Sequence, residues 1–91
     1  MKAQMFNKQE WIEEVCPYYL RDFYKEKLED AGFIILDMME YFFEPYGYTL
    51  IFLLSESHLA IHTFPEENTT YVELTSCVEK PFNKFYDKIK I

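Results

Sequence analysis

Apolar residues recur at two different periods along the chain, and the switch between them lays out its elements. In "WIEEVCPYYLRDFYKEKLEDAG", Trp11, Ile12, Val15, Tyr19, Phe23 and Leu28 fall at helical spacing, and Gly32 stands where a helix C-cap would. The pattern predicts helix over 11–32, divided at Pro17 into a short first helix and a longer second one. "FIILDMMEYFF" (33–43) reads as a buried strand and "EPYG" (44–47) as a turn. "YTLIFLLS" (48–55) and "HLAIHTF" (58–64) read as two strands joined by a tight connection, followed by a turn at "PEEN". "TTYVELTSC" (69–77) is a further strand. "KPFNKFYDKIK" (80–90) closes as an amphipathic helix with Phe82, Phe85, Tyr86 and Ile89 on one face. "KAQMF" at the start reads as a short edge strand. Hairpin-linked strands between helices predict an α+β two-layer sandwich: an antiparallel β-sheet with helices packed on one face.

Composition sharpens this picture. The 91 residues make a single domain, 1–91, and a small one. A chain of this size buries only about two-thirds of its unfolded surface, so a lone monomer has little core to spare. Yet 49% of the residues are hydrophobic and 20% aromatic, with 8 Tyr and 9 Phe. Two uses suit that surplus: covering a subunit interface or a ligand, or building a dense core rimmed by amphipathic tyrosines. A net charge of −7 without a basic stripe disfavours nucleic acid. Two cysteines with 60 residues between them suit neither a zinc site nor a disulfide framework. The start has no apolar signal core and no apolar run is long enough to span a bilayer, so the expectation is a cytoplasmic protein, off the membrane.

The chemistry concentrates in "SESHLAIHTFPE", residues 55–66. A metal site is poorly supported, because His58 and His62 are four apart, a helical spacing, on a segment that reads as a strand. A serine hydrolase lacks both a nucleophile elbow and an acid partner. On spacing alone, a surface hairpin with incidental polar residues explains the stretch as well as any site.

The stretch closely resembles the signature of the prokaryotic S-adenosylmethionine decarboxylase proenzymes, in which an E-S-H-L-x-I-H-T-x-P-E run surrounds a self-cleaving Glu–Ser bond. "AGFIILDMMEYFFEPYG" upstream resembles the same family's A-G strand followed by F-x-P-x-G, and "YVELTSC" downstream its strand ending in a cysteine. The resemblance covers residues 20–78. It implies that Ser57 attacks the carbonyl of Glu56, turning the peptide into an ester, and that elimination and hydrolysis leave a pyruvoyl group on residue 57. His62 matches the histidine that removes the α-proton, a role suited to imidazole near neutral pH. Thr49 stands where the family usually carries a serine that supports cleavage. The pyruvoyl group, with no metal, would hold the substrate amine and take up the electrons released with carbon dioxide. Cys77 matches the cysteine that returns a proton. Phe43 falls at the adenine-stacking phenylalanine, Glu66 at the glutamate that binds the ribose hydroxyls, and Leu54 and Glu56 line the same site. The family's arrangement implies a homodimer whose sites are shared between protomers.

The chain departs from the family in two places. Met5, Lys8 and Gln9 align where relatives carry an aspartate and a Gly–Cys pair on a longer first strand, and the C-terminal part is short. The expected function is therefore self-processing, pyruvoyl-dependent decarboxylation of S-adenosylmethionine for spermidine synthesis. Two rivals are a non-catalytic nucleoside-binding or regulatory homologue and a pyruvoyl decarboxylase of arginine or ornithine. Phe43 and Glu66 favour the nucleoside substrate over the amino acids. Ser57, His62 and Cys77 together disfavour a chain that only binds.

Overall fold

Tyr48, Leu50, Phe52 and Leu54 alternate with Thr49, Ile51 and Leu53, and that alternation becomes two faces of a sheet. The computed structural model describes residues 4–89, with side chains as far as Tyr86. Its elements are β1 (Phe6–Ile12), α1 (Pro17–Ala31), β2 (Ile35–Phe42), β3 (Tyr48–Leu54), β4 (Ser57–Phe64), a 3-10 turn (Pro65–Glu67), β5 (Thr69–Ser76) and α2 (Glu79–Ile89). The strands form one antiparallel sheet in the order β1-β5-β4-β3-β2. Both helices cover the same face, so the expected α+β two-layer sandwich is found. The core lies between the layers. Leu20, Tyr24 and Leu28 of α1 and Phe85 of α2 pack on the alternate residues Leu50, Phe52, Leu59, Ile61, Val72 and Leu74. Each such side chain contributes roughly 1.5–3 kcal/mol on burial, so the sheet's register is set by this one face.

Four expectations need correction. Trp11 and Ile12 belong to β1, not to a helix: as neighbours on a strand they point to opposite faces, Ile12 half-buried under the helices and Trp11 exposed. Pro17 does not divide a helix but begins α1, at the first helical position, where its missing N–H leaves no bond unmade. The edge strand starts at Phe6. Of "KAQMF", Lys2 and Ala3 lie outside the described residues, and Gln4 and Met5 are not in a strand. The predicted helix C-cap is correct. Gly32 adopts φ 102°, its N–H reaches Glu29 O and that of Phe33 reaches Leu28 O, both at 3.0 Å. β2, expected to be buried, is an edge strand whose residues are mostly exposed, because pairing with β3 leaves its outer side open. Ile89, expected on the apolar face of α2, lies outside the described side chains.

The face away from the helices is uncovered. Cross-strand pairing aligns Trp11, Tyr71, His62, Thr49 and Tyr41 in one row that runs over all five strands of that face. Trp11, Met39, Tyr41 and Leu53 are each more than half exposed there.

Candidate active site

The connection between β3 and β4 is only two residues long, Ser55 and Glu56, so Leu54 pairs directly with Ser57. So tight a reversal requires a left-handed residue, normally Gly or Asn. Here the residue is Glu56, at φ 59°. A side chain with a Cβ is strained in that conformation by about 1–2 kcal/mol. The strain sits on the residue whose carbonyl joins Ser57.

Ser57 opens β4 on the helix-covered face and is 6% exposed. Its hydroxyl donates to Ser76 Oγ at 2.8 Å, across the Ser57–Ser76 pair of β4 and β5. Ser76 is wholly buried, accepts the N–H of Val78 at 2.9 Å and donates to Val78 O at 3.3 Å. Cys77 follows, half-buried, with Sγ donating to a Glu56 carboxylate oxygen at 3.7 Å. Loss of hydration pushes the Cys77 thiol up from its usual range, and the negative charge and hydrogen bond of Glu56 add to the shift. The thiol therefore keeps its proton near neutrality.

A second group lies at the other end of the strands. Thr49 and His62 are cross-strand partners, and Thr49 Oγ1 meets His62 Nδ1 at 2.9 Å. The bond occupies Nδ1 and leaves Nε2 as the ring nitrogen for chemistry. Tyr71 stacks on the imidazole from the other side, with ring centroids 6.3 Å apart, and its own hydroxyl donates to Glu73 at 3.0 Å. Phe43 begins a turn closed by its N–H on Gly47 O at 2.9 Å; Gly47 has φ 119°, and the Glu44–Pro45 bond is cis. The 3-10 turn presents Glu66 to solvent. A cavity of about 400 Å³ is lined by Phe43, Thr49, His62 and Glu66, with Tyr46 and Phe64 beside them.

The expected residues are thus divided into two groups. Glu56, Ser57 and Cys77 come together at one end, and Phe43, Thr49, His62 and Glu66 at the other. Leu54 has its side chain in the core, 1% exposed, so only its backbone can face a ligand. His62 lies five positions beyond Ser57 along β4, roughly 16 Å at strand rise, and the odd offset turns them to opposite faces. In the chain as folded, the imidazole and the serine point away from each other. Reading the sequence missed Ser76 and Tyr71. Ser76 had a signal, a hydroxyl at the apolar parity of β5, whereas Tyr71 reads as any strand aromatic.

Residues 5–90 match the family model described as S-adenosylmethionine decarboxylase. Among curated relatives, S-adenosylmethionine decarboxylase proenzyme 2 of Bacillus cereus is 45% identical over 47 residues, covering 52% of this chain and 38% of the relative. The S-adenosylmethionine decarboxylase proenzyme of Oceanobacillus iheyensis is 34% identical over 62 residues, 68% of this chain and 49% of that one. The chain spans about half the length of the curated relatives it matches. The crystal structure of the adenosylmethionine decarboxylase from Aquifex aeolicus superposes with a TM-score of 0.76 at 22% identity, covering 98% of this chain and 79% of that chain, a likeness of fold.

Proposed function

The chain belongs to the S-adenosylmethionine decarboxylase family, and on that premise we propose that it is a self-processing, pyruvoyl-dependent decarboxylase of S-adenosylmethionine, supplying aminopropyl groups for spermidine synthesis. The observation that carries the reading is the left-handed Glu56 joined to a buried, hydrogen-bonded Ser57. Attack by Ser57 Oγ on the Glu56 carbonyl releases the strained peptide, and His62 Nε2 is the free nitrogen that can take the α-proton for elimination. Residue 57, as a serine at the head of a strand, fits the demands of a pyruvoyl precursor. That group would supply a carbonyl that holds the substrate amine and draws off the electrons of the departing carboxylate. Thr49 holds the imidazole from Nδ1 and fixes its tautomer. Cys77, kept protonated at Sγ, suits the return of a proton to the substrate carbon. The exposed ring of Phe43 offers a stacking surface for adenine, and Glu66 a carboxylate for two ribose hydroxyls.

The same reading calls for a homodimer. Because Ser57 and His62 diverge within one chain, His62 serves the Glu56–Ser57 bond, in an exposed turn at the end of the sheet, of a second copy laid over the uncovered face. The exposed Trp11, Met39 and Leu53 there favour such a cover. The two cysteines are free, and among the described residues no helix is long and apolar enough to cross a membrane; both fit a cytoplasmic, single-domain enzyme. Intact mass tests the proposal. Purified wild type should appear as residues 1–56 and 57–91, the second piece blocked at its N-terminus, and Ser57→Ala should stay whole at 11.1 kDa. An uncut wild type that decarboxylates S-adenosylmethionine, or a cut one that does not, refutes it.

A further inference from the structure

Ser57, Ser76 and Phe6 lie in one cross-strand row on the covered face, continued by Leu54 and Ile35. Two hydroxyls in a row that is otherwise apolar carry a desolvation cost that Ala or Val would avoid. The hydrogen bonds give them a direction. Ser76 has one proton, and Val78 O takes it; one of its lone pairs receives the Val78 N–H. Toward Ser57 it can therefore only accept, and the Ser57 hydroxyl must donate. Its proton points toward β5 and its lone pairs elsewhere. Without this acceptor the Ser57 rotor would turn freely or give its proton to a nearby carbonyl, with the nucleophile tied up.

We infer that Ser76 is a positioning residue for self-cleavage: its buried hydroxyl fixes the rotor of Ser57 and polarises the O–H bond, so that Ser57 Oγ meets the Glu56 carbonyl with a lone pair forward. This rests on the proposed processing of the Glu56–Ser57 bond. In the step concerned, Oγ bonds to the Glu56 carbonyl carbon, the C–N bond breaks, and the proton from Oγ ends on the freed amine of residue 57. Atoms balance without any co-reactant. The role belongs to the step before the ester, whereas His62 acts after it.

The test follows cleavage of newly made chains by intact mass, with a pulse of hydroxylamine, which cuts esters and leaves peptides whole. Ser76→Ala and Ser76→Cys, the second nearly the size of serine but a poor acceptor, should slow cleavage roughly five- to tenfold, about the worth of one hydrogen bond in orienting a nucleophile. Their uncut chains should resist hydroxylamine, showing that the delay precedes the ester. Ser76→Thr, which keeps the hydroxyl, should cleave within about twofold of wild type. Far-ultraviolet circular dichroism and thermal melts restrict the comparison to folded protein, and Ser76→Cys carries it if Ser76→Ala does not fold. Ser76 is overturned alone if wild type is cut and the folded Ala and Cys variants are cut as fast, or if their uncut chains are opened by hydroxylamine. A wild type that is neither cut nor opened by hydroxylamine overturns the processing reading itself, and Ser76 with it.

Discussion

The strain at Glu56 can be removed without touching the nucleophile. Glycine adopts φ 59° at no steric cost, so Glu56→Gly should release the roughly 1–2 kcal/mol that the Cβ imposes. In an uncleavable Ser57→Ala background, about 0.4–1 kcal/mol of that gain is returned as added freedom of the unfolded chain. A net stabilisation on the order of 0.5–1 kcal/mol should remain, read as a higher urea midpoint. In the cleavable chain the effect on rate is opposite. Strain in the ground state that is relieved as Ser57 attacks lowers the barrier, and 1–2 kcal/mol is worth roughly 5–30-fold in rate. Glu56→Gly should therefore be more stable and slower to cleave. Glycine also removes the carboxylate that Cys77 Sγ contacts, so Glu56→Ala is the necessary reference: it loses the carboxylate but keeps the Cβ and the strain. Cleavage would be timed by intact mass after synthesis in a cell-free system at 25 °C. If Glu56→Gly is cut as fast as Glu56→Ala, the left-handed residue is a feature of the turn and no part of the chemistry.

Glu56→Gln, by removing the negative charge beside Cys77, should let the thiol ionise at lower pH and so speed its alkylation by iodoacetamide near pH 8, measured by peptide mass with Cys16 as internal reference. An unchanged ratio of Cys77 to Cys16 labelling would mean that loss of hydration alone raises the thiol. For the shared site, a Ser57→Ala chain and a His62→Ala chain, each uncut alone, should complement on co-expression, with only the His62→Ala subunit cleaved and up to about half of the sites restored. A verified heterodimer in which neither subunit is cut would mean that the Glu56–Ser57 bond is processed within one chain.

Much of the fold was legible because one face of each central strand is apolar. Leu50 and Phe52, Leu59 and Ile61, Val72 and Leu74 alternate cleanly, and Gly32 and Pro17 punctuate the helix as their backbone restrictions require. β1 escaped because Lys8 and Glu10 occupy its covered side, which hides the alternation, while adjacent Trp11 and Ile12 imitate a helical pair. The edge position of β2 depends on strand order, a long-range property that no local pattern records. At the site, the Thr49–His62 contact was within reach: once residues 55–56 close the hairpin, register puts the two side by side. The left-handed Glu56 was not, since glutamate carries no preference for that conformation and only the shortness of the connection demands it.

The proposed cut falls at the centre of the fold, and strand order says what would keep the two pieces together. Residues 1–56 carry β1, α1, β2 and β3, and residues 57–91 carry β4, β5 and α2. In the sheet, β4 and β5 lie between β3 on one side and β1 on the other, so the second piece is held by two antiparallel ladders from the first. The helices add a joint, since α1 and α2 share the core through Tyr24 and Phe85, whose rings stack 6.2 Å apart. No disulfide joins the pieces, as Cys16 and Cys77 are both free. The cut protein should therefore stay assembled when native and separate when unfolded. Unfolding then releases one more chain per protomer than in uncut Ser57→Ala, whatever the number of protomers. By mass action each tenfold dilution should lower the stability of the cut form by about 1.4 kcal/mol per protomer more than that of the uncut form. With a urea dependence of about 1–3 kcal/mol/M for a small protein, the cut form's midpoint should fall by roughly 0.5–1.4 M more per tenfold dilution. Equal dilution dependence of the two forms, with cleavage verified by mass, would show that the halves do not separate on unfolding, and the interleaved ladders would then not be what holds them.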